Sequence, residues 1–144
     1  MTSAHASPPS VRVIGSGPVA LAFAAFLRRQ GLPAHSIELA RNEAPASPAL
    51  AARVLALSLG TWQLLSRIAR LPAAAPIGSV DVAVSGLPGR VRIDAREMNV
   101  PALGYVVRYT ALLAALSRGL DELGVAAARG AREAGSPQGT AETG

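Results

Sequence analysis

The sequence contains no cysteine and no lysine, and only 3% of its residues are aromatic. Without cysteine, the 144-residue chain can form no disulfide, carry no thiolate nucleophile and hold no cysteine-ligated metal. Two histidines are too few for a zinc site, so we predict no metal. The net charge of +5 comes from arginines scattered along the chain. Because stacking aromatics are scarce, we predict no nucleic-acid partner.

Long apolar runs are also missing. Half of the residues are apolar (50%), but no uninterrupted run approaches the roughly 20 residues that a membrane-spanning helix requires. The apolar stretch after residue 18 has no basic segment before it and no small-residue cleavage site after it, as a signal peptide would. We therefore expect a cytoplasmic protein without a membrane span, and only peripheral membrane association stays open.

Regular structure is expected over residues 11–125, as one domain. Residues 1–10, rich in Ser, Pro and Ala, predict a flexible leader. Residues 126–144, rich in small residues and glycine, predict a disordered tail. Between them, the order strand, helix, strand, helix, hairpin, helix predicts an α/β fold with an inserted antiparallel hairpin.

The first three elements predict a βαβ unit. The β-branched run at 11–14 is typical of a buried strand, and residues 18–30 show the apolar spacing of a helix. A second short strand is expected around 36–39, because a brief loop after such a helix returns the chain beside the first strand.

The later elements follow the same logic. Thr61 is expected to cap a helix over 62–69. Alternating valines and isoleucine between 80 and 93 predict a hairpin that turns near Gly86. A leucine stripe predicts a helix over 109–123, closed by Gly124.

The turn GSGPVA at 15–20 has the spacing G-x-G-x-x-A between a strand and a helix, which is the dinucleotide-binding fingerprint. Gly15 permits a tight turn, Gly17 lets the backbone approach a pyrophosphate, and Ala20 lets the helix lie close to the strand. The first N–H groups of the helix and its dipole stabilise phosphate charge. Glu38, near the end of the second strand, is placed to accept hydrogen bonds from ribose hydroxyls.

Simpler interpretations compete with these. G-x-G-x-x-A can be a mere tight turn in a glycine-rich and alanine-rich chain. Glu38 can be a solvated carboxylate paired with Arg41. On the dinucleotide interpretation, a carboxylate at this position repels a 2′-phosphate, which favours FAD or NAD over NADP.

Three segments carry a family resemblance: RVLALS at 53–58, followed by G at 60 and QLL at 63–65, and PALGYVV at 101–107. In their order and spacing they resemble the ubiquinone-biosynthesis aromatic-ring hydroxylases, which are FAD-dependent monooxygenases similar to p-hydroxybenzoate hydroxylase. The resemblance extends from about Val11 to Val125.

The resemblance implies a flavoprotein oxidoreductase that binds FAD in an extended pose through a Rossmann-like unit. NAD(P)H would reduce the flavin, and O2 would hydroxylate a phenolic ubiquinone precursor. Arg53 matches the family arginine near the flavin, and the hairpin around Gly86 would belong to the substrate-side sheet. The predicted cofactor-binding residues are Gly15, Ser16, Gly17, Pro18, Val19, Ala20, Glu38 and Arg53.

The chain departs from the family pattern in several places. Ala51 and Ala52 replace an acidic residue and a glycine, and Arg108-Tyr109 replaces Glu-Asn. The later Asp-Gly and Gly-Asp flavin motifs are missing. We therefore expect an incomplete FAD-binding domain, truncated relative to the family and without independent activity.

No catalytic residue is assigned from the sequence. His35 lacks a carboxylate orienter at recognisable spacing, and Ser16 lies in a turn without the pattern of a hydrolase nucleophile. Two other classes stay open: a non-catalytic nucleotide-binding module that docks another chain through its incomplete sheet, and a fragment of an NAD-dependent reductase.

Overall fold

The computed structural model describes residues 11–41, 47–86 and 88–129, and it is a mixed α/β structure. The strands, in chain order, are β1 (Val11–Ile14), β2 (Ile37–Arg41), β3 (Val54–Ser58), β4 (Ala75–Ile77), β5 (Ser79–Val82), β6 (Val91–Asp94), β7 (Gly104–Arg108) and β8 (Ala127–Arg129). The α-helices are α1 (Pro18–Arg29), α2 (Pro48–Ala51), α3 (Leu59–Ser66) and α4 (Tyr109–Glu122).

One sheet is parallel and has the order β1-β2-β8. β1 and β2 pair from Val11 opposite Ile37 to Ile14 opposite Ala40. Parallel neighbours need a crossover, and α1 supplies it between β1 and β2. This arrangement is the predicted βαβ unit. Within the described residues, β1 has a strand on one side only, so its other edge is open.

The rest of the sheet structure is antiparallel. β7 lies between β3 and β4, and β5 pairs with β6. The chain therefore leaves the parallel sheet after β2, forms these antiparallel pairs, and returns through α4 to β8.

The core lies where α1 and α4 pack together over the parallel sheet. Its most deeply buried large side chains are Leu21, Leu39, Leu112, Leu116 and Leu120. Because side chains alternate across a strand, buried Val13, Ile37 and Leu39 share one face of the sheet. Arg12, Ile14 and Glu38 therefore lie on the other face.

The predicted α/β class and the hairpin are confirmed, and so are the first helix and the last helix. The cap of α3 differs from the prediction. The helix begins at Leu59 because Ser58 Oγ accepts a hydrogen bond from the Thr61 N–H at 3.2 Å, so Ser58, and not Thr61, is the N-cap.

The structure also contains strands that the sequence did not predict. β3, β4 and β7 extend the antiparallel part beyond a hairpin, and β8 lies where a tail was expected. β8 forms because Ala127–Arg129 pairs in parallel with Leu39 to Arg41 of β2. The predicted leader and residues 130–144 of the predicted tail lie outside the described residues.

Across the described segments, no helix combines the length and apolar character needed to cross a membrane.

Candidate functional site

The glycine-rich bend joins the end of β1 to the start of α1. Gly15 has φ of +143°, a conformation that side chains other than glycine rarely adopt. Its N–H donates to the Ala40 carbonyl at 2.9 Å, which fixes the bend beside the end of β2. The predicted tight turn at Gly15 is therefore present.

The inner side of the bend is closely packed. A Cβ atom on Gly15 would lie 3.1 Å from the Cβ of Ala20, in the first turn of α1. Small residues at both positions let the helix approach the strand, as the fingerprint requires.

The outer side of the bend is open at Gly17. This residue is the N-cap of α1, with an ordinary φ of −84°, so its backbone does not require glycine. In the part of the chain that the structure describes, a Cβ atom there would meet only the Tyr109 hydroxyl, at 3.8 Å. The absence of a side chain therefore leaves space above the bend.

The start of α1 offers backbone donors beside this space. No side chain within the described ranges caps the helix, and Pro18 occupies its first position without an N–H. The next two N–H groups, of Val19 and Ala20, have no intrahelical partner. Val19 is 82% exposed and Ser16 is also exposed, so this surface is accessible.

Glu38 forms an ion pair with Arg12, and not with Arg41 as one interpretation of the sequence expected. Its Oε1 accepts from Nη2 of Arg12 at 3.2 Å, across the β1–β2 pair. Ala40, not Glu38, is the β2 residue bonded to the bend. Glu38 lies two residues earlier, about 6–7 Å back along the strand.

Tyr109 connects the backbone of Arg53 to the region of the glycine bend. The Tyr109 N–H donates to the Arg53 carbonyl at 2.9 Å, and the Tyr109 hydroxyl is beside Gly17. The structure thus brings residues 15–20 and the Arg53 backbone to one region, with Tyr109 between them. The sequence marked Tyr109 only as a departure from the family pattern.

Arg41 is the second residue that the sequence did not assign to the site. It ends β2 directly after Ala40, and its buried Nε has no hydrogen-bond partner among the described residues. Arg41 therefore places a positive charge at the strand end next to the bend.

Two open clefts lie on the described surface, and neither is lined by the bend. One, of about 440 Å³, is mostly apolar and runs along β7 between Val54, Ala74, Arg108 and Ala111. It begins at the N-terminal residues of α4, next to Tyr109. The other, of about 430 Å³, lies between Arg70, Arg118 and Glu122.

The fold is thus a mixed α/β structure in which a glycine bend joins a parallel strand to a helix. No protein-family model matches the chain. Among solved structures, it is similar to the crystal structure of AlpK, with a TM-score of 0.55, 20% identity, and coverage of 83% of this chain and 23% of AlpK. It is also similar to p-nitrophenol 4-monooxygenase PnpA from Pseudomonas putida DLL-E4, with a TM-score of 0.51, 21% identity, and coverage of 81% of this chain and 30% of PnpA.

The chain therefore shares its fold with part of a monooxygenase. It spans 23% and 30% of the length of these two proteins.

Proposed function

We propose that the chain binds the ADP half of FAD at the glycine bend, as the Rossmann-like nucleotide-binding part of a flavin-dependent monooxygenase. The observation that carries this proposal is the contrast between the two sides of the bend. Ala20 closes the inner side at Gly15, whereas Gly17 leaves the outer side open beside the start of α1. A pyrophosphate needs this arrangement to reach the backbone.

The electrostatics of the region support an anionic ligand. The free N–H groups and dipole of the 12-residue helix α1 place positive partial charge at the open side. The Arg41 guanidinium ends the neighbouring strand, and among the described residues no carboxylate pairs with it. Phosphate groups are favoured in such surroundings.

For the adenosine ribose, Glu38 is retained as the proposed ligand. Arg12 occupies its Oε1 at 3.2 Å, which leaves Oε2 to accept hydrogen bonds from the hydroxyls. Arg53 is proposed to face the flavin end, because its carbonyl bonds to Tyr109 next to the bend. The apolar cleft along β7 starts at the same end and has room for part of a planar ring.

Bound FAD would supply the redox chemistry, with NAD(P)H as electron donor. This chain's own residues would bind and orient the cofactor. By the resemblance stated above, the substrate is a phenolic ubiquinone precursor, and the similarity of the fold to PnpA supports the broader monooxygenase class. The chain covers 23% of AlpK and 30% of PnpA, so the activity of a whole monooxygenase is proposed for a protein that also contains the remaining parts of that fold.

The test measures the affinity of the Gly17→Val variant for FAD, using the quenching of flavin fluorescence on binding. The valine side chain would occupy the space above the bend, so we expect about a 10–100-fold loss of affinity, the equivalent of about one charge-assisted hydrogen bond. Gly78→Val is the matched control, because a Cβ at Gly78 meets nothing within 4 Å and lies away from the bend. Equal FAD affinity of the two variants would refute the site.

A second candidate function is a non-catalytic module that pairs with a strand of another chain. The open edge of β1 favours it, together with exposed Ile14 (81%), Val19 (82%) and Phe23 (51%) nearby. Purified protein distinguishes the candidates. Yellow protein with bound flavin supports the first, and colourless oligomeric protein supports the second.

A further inference from the structure

The hydroxyl of Tyr109 lies at the open side of the bend. Among the described residues it is the one atom outside the immediate chain neighbours that lies within 4 Å of the position that a Cβ on Gly17 would take, at 3.8 Å. Tyr109 is the first residue of α4, and its N–H is held by the Arg53 carbonyl. The phenol is therefore attached to a fixed backbone position, far in sequence from the bend that it faces.

This hydroxyl has no hydrogen-bond partner among residues 11–41, 47–86 and 88–129. Tyr109 is half-buried, so a ligand can reach its hydroxyl. A phenol O–H can donate one hydrogen bond and accept others. The group is therefore available to a ligand that enters the space above Gly17.

We propose that Tyr109 is a ligand-binding residue that donates a hydrogen bond to a phosphate oxygen of the nucleotide at the bend. The proposal rests on the function proposed above. An oxygen about 1 Å closer to the hydroxyl than the Gly17 Cβ position would lie within the usual O–H···O range of 2.5–3.0 Å. The phosphate would then contact the α1 N–H groups on one side and the phenol on the other.

A hydrogen bond to an anionic oxygen is stronger than one between neutral groups. The contact selects for the charged part of the ligand, and it contributes nothing to binding of the nucleoside alone. This difference separates a ligand-binding role from a structural one.

The test compares the affinities of ADP and adenosine, measured by calorimetry, for the wild-type chain and Tyr109→Phe. We expect Tyr109→Phe to weaken ADP binding about 10–100-fold, with unchanged adenosine affinity and unchanged Tm. Tyr105→Phe is the control. The Tyr105 ring packs against Trp62, with ring centroids 4.6 Å apart. Removal of the Tyr105 hydroxyl should leave the affinity for ADP unchanged.

Each alternative outcome has one meaning. Equal ADP affinity of wild type and Tyr109→Phe overturns the role of Tyr109 and leaves the proposed function in place. An equal loss of ADP and adenosine affinity also overturns it, in favour of a structural role. Failure of the wild-type chain to bind ADP or FAD overturns the proposed function and this inference together.

Discussion

Two helical glycines, Gly119 and Gly60, have surroundings that predict opposite effects of an alanine substitution on stability. A Cβ on Gly119, in α4, would lie 2.7 Å from the Ile68 carbonyl oxygen and 2.9 Å from the Ala69 Cβ. A Cβ on Gly60, in α3, would meet nothing within 4 Å. The same substitution should therefore act in opposite directions at the two positions.

We predict that Gly119→Ala lowers the free energy of unfolding by about 1–3 kcal/mol, because the backbone at Ile68 must move. Gly60→Ala should raise it, by up to about 1 kcal/mol, because alanine loses less conformational entropy in a helix. Urea denaturation monitored by circular dichroism measures both values. A shift of the same sign in both variants would contradict this account.

At the same scale, the sequence predicted the local packing of the bend, which depends on residues close together along the chain. Gly15 and Ala20 are five positions apart, and the contact between them follows from the turn itself. The partner of Glu38 and the position of Tyr109 depend on how distant segments pack. Spacing along the chain contains no information on either, so both needed the structure.

Among the elements, α3 depends on one side chain at its start. Ser58 Oγ accepts from the Thr61 N–H at 3.2 Å and lies 2.9 Å from the Thr61 Oγ1. We predict that Ser58→Ala lowers the free energy of unfolding by about 1 kcal/mol, because a backbone donor loses its acceptor. Thermal and urea unfolding measure the change.

Ser47→Ala is the control for this prediction. Ser47 caps α2 with a longer bond of 3.3 Å to the Leu50 N–H, but that helix has only four residues. Its loss should affect stability less than the loss of Ser58. An equal or larger effect at Ser47 would be evidence against the importance of the α3 cap.

Three of the strands that the sequence failed to predict, β3, β4 and β8, share a physical cause. β3 runs directly into α3, so no loop separates their patterns. β4 has three residues and contains Pro76, and β8 consists of Ala-Ala-Arg. None has the β-branched alternation of a free-standing strand. Each becomes a strand because a neighbour, β7 or β2, supplies hydrogen bonds.

For the whole molecule, the β5–β6 hairpin adds an apolar surface outside the core. Val80 lies opposite Ile93 and Val82 opposite Val91, so all four side chains share one face. They are 39–63% exposed. A two-stranded hairpin with such a face stabilises the rest of the molecule little.

We predict that replacing both Val82 and Val91 by threonine changes the free energy of unfolding by less than about 1 kcal/mol, because the side chains are already exposed. The double variant should bind less of an apolar fluorescent dye. Val107→Thr is the control. Val107 is 2% exposed, and its new hydroxyl would be buried at a loss of about 1–3 kcal/mol. A loss of that size in the double variant would show that the hairpin face is covered.

The α/β class could be predicted from the order of elements, since a helix followed by a brief loop returns the chain beside the first strand and favours a parallel pair. The antiparallel sheet of β3, β7 and β4 could not, because its strands come from three separate parts of the chain. Nor did the sequence reveal that β8 extends the parallel sheet beyond β2.

Because α1 packs beside α4, the surroundings of the glycine bend are complete only after both helices have formed. Arg28 Nε donates to the Leu123 carbonyl at 3.2 Å, and these residues are 95 positions apart. A nascent chain leaving the ribosome exposes the glycine turn first, and α4, which flanks the turn, emerges only after all the strands up to β7 have been made. Such distant pairings form late because a long loop must close first. On the function proposed above, capture of a nucleotide would therefore report that α4 has docked against α1.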